Sequence, residues 1–338
     1  MTNQPLYQAI NVSKRFSVGS RLSAQGIRTV HAVDGVSLSI MPGETLGLVG
    51  ESGCGKSTLA RCLSRLYDIT EGQLLFDGTD ISNLTTRQMR PLRQKMQMVF
   101  QDPYASLNPR RRVRDLIAEP LRIHLKLTDE QVTSRVAELL EQVGLLRDHA
   151  ARYPHEFSGG QRQRIGIARA IALEPKMVIL DEPVSALDVS VQAQIVNLLA
   201  DLQERLALTY VFVAHDLSVV RQVSTRIAVM YLGSIVEIGA ADDVFSRPAH
   251  PYTEALISAV PKPVYANGTT RKRIVLTGDV PSPINPPKGC RFHPRCPVVQ
   301  DRCRVERPTL QPQSLTRSVA CHFPVDAQLA TKLVDPTI

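Results

Sequence analysis

Residues 46–66 read LGLVGESGCGKSTLARCLSRL. The small and apolar run Leu46–Gly50 predicts a buried strand, and the pattern from Leu59 onward predicts a helix. Between them, Gly50-Glu51-Ser52-Gly53-Cys54-Gly55-Lys56-Ser57-Thr58 fits GxxxxGK[ST], in the strand-to-helix context that a phosphate-binding loop requires. Glycines let backbone N–H groups turn inward around phosphate oxygens, and the helix start adds its positive end. Lys56 is placed to reach the β- and γ-phosphates of a nucleotide, and the Ser57 hydroxyl to ligand Mg²⁺. Cys54 reads as a small filler inside the loop.

Working outward, KMQMVF (95–100), KMVILD (176–181) and YVFVAH (210–215) are further short apolar runs, each followed by a polar or glycine-containing turn. Such runs predict strands covered on both faces, as in a parallel sheet. Val189–Leu206 has apolar residues at 191, 195, 198, 199, 202 and 206, the spacing of a helix that lays one face on a sheet. The alternation predicts an α/β fold with a phosphate-loop NTPase core. KMVILD ends in Asp181, followed by Glu182, at the carboxyl end of a strand, where ligands of α/β sheets collect. Asp181 is placed to hold Mg²⁺ and Glu182 to polarise an attacking water. Residues 102–170 read as helical, an insertion between two core strands. After about residue 245, Pro248, Pro251, Pro261, Pro263, Pro281, Pro283, Pro286 and Pro287 preclude a continuous helix and predict an irregular extension.

Composition removes several classes. With 43% hydrophobic and 21% charged residues in 338, the chain is neither disordered, collagenous nor a coiled coil. No apolar run approaches the ~20 residues of a membrane-spanning helix. The start, MTNQPLYQAINVSKRF, lacks an apolar signal core, so a soluble cytoplasmic protein is expected. The net charge of +8 suits phosphates, nucleic acid or an anionic membrane face. Apart from Arg110–Arg112 and Arg271–Arg273 the positive residues are dispersed, so charge selects no partner.

Phe157-Ser158-Gly159-Gly160-Gln161 precedes the helical RQRIGIARAI and is a second candidate anion site, with amides and a hydroxyl at a helix start. Placed shortly before Asp181, it resembles the signature motif of ATP-binding cassette (ABC) ATPases, whose usual form is LSGGQ; here Phe157 replaces the leucine. Gln101 resembles the glutamine of that family implied to sense Mg²⁺ and to face the transport partner. Ser185-Ala186-Leu187-Asp188 resembles the D-loop, and His215 the switch histidine that contacts the γ-phosphate. Phe16 sits where the family stacks an aromatic ring on adenine. The resemblance covers residues 5–255. It implies an ABC ATPase core with a helical subdomain at about 102–170 and an antiparallel N-terminal β-subdomain. It further implies that two cassettes dimerise head to tail, with ATP between the phosphate loop of one and Ser158–Gln161 of the other.

Finer motifs point to one branch. Gln101–Arg110, Ser185–Gln194, His250-Pro251-Tyr252-Thr253 and GDVPSPINPPKGC (278–290) resemble the dipeptide and oligopeptide uptake ATPases, and the second ATPase subunit of dipeptide transporters in particular. This implies an ATP hydrolase on the cytoplasmic face of a bacterial inner membrane. Its implied partners are a second ATPase subunit, a paralogue favoured over a second copy, with two permease subunits and a peptide-binding protein, and no nucleic acid. Nickel, glutathione or cationic peptides are alternative cargoes. A soluble ABC ATPase acting on nucleic acid or ribosomes, and a regulator without turnover, are more distant readings. Residues 256–338 form the branch's C-terminal extension, where Cys290, Cys296, Cys303 and Cys321 fall close together. None of their gaps has the C-x2–4-C spacing of structural zinc. Four thiolates in a proline-rich loop suit an iron–sulfur cluster, and the resemblance implies a [4Fe–4S] centre. Zinc and unliganded cysteines are the alternatives.

Overall fold

A computed structural model describes residues 4–19, 27–102, 104, 106–260 and 274–325. Pro261, Pro263 and the basic group Arg271–Arg273 lie outside the described residues, as does the end of the chain from 326. The chain opens with β1 (Tyr7–Val18), β2 (Arg28–Ile40), β3 (Thr45–Val49), α1 (Lys56–Leu63), β4 (Glu71–Phe76) and β5 (Thr79–Asp80). It continues through α2 (Thr86–Lys95), β6 (Met96–Val99), α3 (Val113–His124), α4 (Asp129–Gln142), α5 (Gly159–Ile171) and β7 (Met177–Asp181). Next come α6 (Val189–Leu206), β8 (Thr209–Val213), α7 (Leu217–Val223), β9 (Arg226–Tyr231) and β10 (Ser234–Ala240). The last elements are α8 (Ala241–Ser246), α9 (Pro251–Ser258), α10 (Asp301–Val305), β11 (Gln311–Pro312) and β12 (Arg317–Val319).

Two sheets organise these elements. The smaller, in the order β2-β1-β4-β5, is antiparallel throughout. The larger has the order β11-β12-β10-β9-β3-β8-β7-β6. Its β9, β3, β8, β7 and β6 are mutually parallel, whereas β10, β12 and β11 add antiparallel strands at one side. The four apolar runs of the sequence are thus β3, β6, β7 and β8, and all residues of β3, β7 and β8 are buried.

Strand alternation distributes those residues to two cores. Met177 and Ile179 of β7 join Val211 and Val213 of β8, Leu46 and Leu48 of β3 and the smaller sheet. Val178, Leu180, Tyr210 and Phe212 point to the opposite face, into a core filled by α3–α7. α6 turns Ile195, Leu198, Leu199 and Leu202 toward that face while Val189 is exposed. Between β6 and β7 the described residues hold helices and no strand. The C-terminal extension is less irregular than its prolines predict: Arg317–Val319 pairs with Glu237–Gly239 and extends the main sheet.

Candidate nucleotide site

β3 delivers the chain to a loop at 50–55 that turns back as α1. Gly50 (φ 153°) and Gly55 (φ 107°) have positive φ, where side chains are strained. A Cβ at Gly55 would lie 2.1 Å from the Ala32 carbonyl oxygen, and one at Gly50 2.2 Å from that of Met230. Any other residue would therefore push the loop away from β2 or β9. Lys56 is buried, and its Nζ donates to the carbonyls of Gly50 (2.8 Å) and Glu51 (3.0 Å), which hold the ammonium inside the loop. Cys54 is buried with its thiol pKa raised by that burial, as befits a filler.

Because β3, β8 and β7 run parallel and in register, their carboxyl ends converge beside this loop. Ser57 Oγ donates to Asp181 Oδ1 at 2.7 Å. Asp181 is 1% exposed, and its Oδ2 is buried without a hydrogen-bond partner. Burial pushes its pKa above the ordinary carboxylate value, opposed by the Ser57 hydrogen bond and by Arg61. A buried carboxylate oxygen without a donor, next to a hydroxyl, is a donor set for a hard cation, and Mg²⁺ fits it.

Glu182 adopts φ 48°, an unfavourable backbone for a non-glycine residue. Its N–H donates to the Val213 carbonyl at 3.0 Å, tying the turn to β8. The carboxylate accepts from Gln101 Nε2 at 2.8 Å, and His215 Nδ1 lies 3.4 Å from the same oxygen. Gln101 and His215 each sit two residues beyond a strand end, on the loops that leave β6 and β8. Phe16, Ser52–Thr58, Gln101, Glu182 and His215 line a single cavity of ≈ 640 Å³, completed by Val30, His31, Ala32, Leu232, Gly233 and Pro283. Phe16 is half-buried, with Tyr67 packed on it edge to face at 5.6 Å.

Gly50, Glu51 and Asp181 adjoin this cavity without lining it, and Ser158, Gly159, Gly160, Gln161 and Asp188 are likewise absent from its walls. Ser158 caps α5 in a reciprocal box: its Oγ accepts from Gln161 N–H (3.3 Å) and Gln161 Oε1 from Ser158 N–H (3.0 Å). Phe157 is buried against His149, preserving the apolar packing of the leucine it replaces. Asp188 precedes α6 and is exposed. The four C-terminal cysteines line one small cavity with Phe292, Val298 and Phe323. Cys290 N–H donates to the Cys303 carbonyl at 2.8 Å, and all four are free thiols. Among the described residues no group of three or more His, Cys, Asp or Glu is arranged to hold a metal ion.

Arg295 lies outside every motif read from the sequence, and the motifs that contain Pro283 and Tyr252 assign them no place at this site. Pro283 joins the cavity because its carbonyl accepts from His31 N–H (2.9 Å). Glu51 of the phosphate loop is held by Tyr252 and Arg295, which come from the far end of the chain. The His250–Thr253 motif could have flagged Tyr252. Nothing in the spacing connects Arg295 to a loop 244 residues earlier.

Comparison with known proteins places the chain in a family. The family described as "ABC transporter" matches residues 33–185, and "Oligopeptide/dipeptide transporter, C-terminal region" matches 236–303. The chain is 54% identical to the oligopeptide transport ATP-binding protein AppF of Bacillus subtilis, over 93% of this chain and 95% of that protein. It is 48% identical to the dipeptide transport ATP-binding protein DppF of Haemophilus influenzae, over 96% and 98% respectively. A dimeric post-hydrolysis structure of the ATP-binding cassette MJ0796, bound to ADP and Pi, superposes with a TM-score of 0.63 at 30% identity, covering 70% of this chain and 98% of that one. With its phosphate loop, paired acids and signature helix arranged in this way, the chain belongs to the ABC transporter ATPases, in the branch that carries the oligopeptide/dipeptide transporter C-terminal region.

Proposed function

We propose that this chain is the ATP-hydrolysing subunit that energises uptake of dipeptides or oligopeptides across a bacterial cytoplasmic membrane. The observation that carries the hydrolytic reading is the convergence of Lys56, Glu182, Gln101 and His215 on one cavity, with Asp181 bonded to Ser57 at its edge. The peptide assignment draws support from relatives named for oligopeptide and dipeptide transport.

The phosphate loop and Lys56 bind the β- and γ-phosphates, and Phe16 stacks on the adenine. Ser57, Asp181 and Gln101 hold Mg²⁺, which when bound neutralises charge on those phosphates. Glu182 accepts a proton from water as the water oxygen bonds to the γ-phosphorus and the bond to the β-phosphate oxygen breaks, giving ADP and phosphate. Gln101 and His215 keep the Glu182 carboxylate turned toward that water. Ser158, Gly159, Gly160, Gln161 and Asp188 stand apart from the cavity because they serve a second cassette, a paralogous subunit in this reading. Each signature helix start closes on the partner's ATP.

No helix among the described residues is long and apolar enough to cross a membrane. As in a transporter of the family to which the chain belongs, it works peripherally on the cytoplasmic face, with two permease subunits and a peptide-binding protein supplying the path and the selection.

In the same proposal, Cys290, Cys296, Cys303 and Cys321 hold a [4Fe–4S] cluster of structural role. Support comes from the cavity the four share and from the affinity of cysteine sulfur for iron.

Three outcomes are expected. Asp181→Asn, which keeps an acceptor for Ser57, loses more than about tenfold of the Mg²⁺-dependent gain in ATP affinity and leaves metal-free binding unchanged, as read by titration with a fluorescent ATP analogue. A deletion strain dependent on dipeptides for a required amino acid grows when given the wild-type gene but not Glu182→Gln, whose turnover falls by about 10²–10⁴. Growth of the deletion strain itself, with no redundant importer, would remove the peptide assignment. Protein purified anaerobically contains about four iron and four sulfide per chain; four free thiols with little iron would end the cluster proposal.

A further inference from the structure

Glu51 places a carboxylate on the very loop that must receive the negative phosphates of ATP. That charge is matched by Arg295, which donates from Nη1 to Glu51 Oε2 at 2.7 Å and from Nη2 to Oε1 at 3.0 Å. The arginine side chain is 8% exposed and the glutamate 26%, so the pair is largely shielded from water. The guanidinium also lies 6.0 Å from the centroid of the Tyr231 ring. The backbone of Glu51 is gripped too: its N–H donates to Tyr252 Oη (2.8 Å), and its carbonyl accepts from Lys56 Nζ (3.0 Å). Tyr231, Tyr252 and Phe292 pack ring to ring at 4.7–5.4 Å, which seats the Arg295 turn beside the loop. Arg295 and Tyr252 both belong to the region 236–303 that marks the peptide-transporter branch, outside the segment 33–185 matched to ABC transporters in general.

We propose that Arg295 is a positioning residue for nucleotide binding: by neutralising and fixing Glu51 it lets the phosphate loop accept ATP, so the C-terminal extension is a working part of the nucleotide site. Without Arg295 the Glu51 carboxylate is unpaired. It repels the incoming phosphates and competes with them for the Lys56 ammonium, which already touches the Glu51 carbonyl. An arginine that matters through this one charge becomes dispensable once the charge is removed. The inference depends neither on which substrate is carried nor on what the four cysteines hold.

A double-mutant cycle on the full-length chain tests it, with mant-ATP binding measured with and without Mg²⁺ and folding followed by circular dichroism. Arg295→Ala is expected to weaken binding about tenfold, because an opposed charge is left unpaired. Arg295→Lys, which keeps the charge but loses the planar fork, is expected to lose about threefold. The combination Arg295→Ala with Glu51→Gln is expected to bind within about threefold of Glu51→Gln alone, since the two groups act as one pair. A purely structural role for Arg295 would leave the double variant as weak as Arg295→Ala, and that result overturns the proposal. Wild-type affinity in Arg295→Ala also overturns it. Should Arg295→Ala fail to fold, Arg295→Gln enters the same cycle with the same expected and opposing results. A wild-type chain that does not bind mant-ATP would remove the nucleotide site itself, and the proposal with it.

Discussion

The hydrogen bond from Ser57 Oγ to Asp181 Oδ1 joins residues 124 positions apart, and the working site depends on it. It forms because β3, β8 and β7 lie side by side, parallel and in register, so that a phosphate loop leaving one strand meets the acids that end another. The second oxygen of Asp181 is buried without a hydrogen-bond partner, an arrangement that favours a bound cation. Glu182 follows with a positive φ that aims its carboxylate at the same cavity. Backbone strain of this kind persists where the surrounding structure enforces it, and here the bond from Glu182 N–H to the Val213 carbonyl does so.

What was legible in the sequence is what is local. The phosphate loop announces itself in nine consecutive residues, and Asp181 and Glu182 stand out because two acids end an apolar run. Strand identities followed from the same logic, since doubly covered strands need apolar residues in succession. The hairpin β9–β10 was less visible. Its turn, Leu232-Gly233, has positive φ at both residues, as two-residue hairpins demand, but a leucine at the first position hides the usual Asn-Gly signal. The three residues of β12 are too few to show alternation, so its addition to the main sheet could not be read from a proline-rich stretch. Contacts made only in three dimensions were also hidden. The cysteine gaps do not reveal that four thiols share a cavity, and no spacing pairs Arg295 with Glu51.

The C-terminal region therefore does more than extend the chain. Pro283 walls the nucleotide cavity, Tyr252 and Arg295 hold Glu51, and Arg291 binds Asp34 and the Leu232 carbonyl beside the loop. Gly233 N–H in turn donates to the Cys54 carbonyl within the loop. Ser158–Gln161 and Asp188, by contrast, stay outside the cavity of their own chain. In the proposed reading, half of the ATP site is built within the chain and buttressed by its extension, and a second cassette supplies the other half.

The most direct test of this account is the coupling of hydrolysis to peptide movement. The chain would be reconstituted in proteoliposomes with its second ATPase subunit, permeases and peptide-binding protein, and phosphate release and labelled dipeptide uptake recorded together. The account predicts that uptake requires ATP and that Glu182→Gln stops uptake and phosphate release together while nucleotide still binds. Uptake that continues in Glu182→Gln, or ATP hydrolysis with no peptide entering, would contradict it.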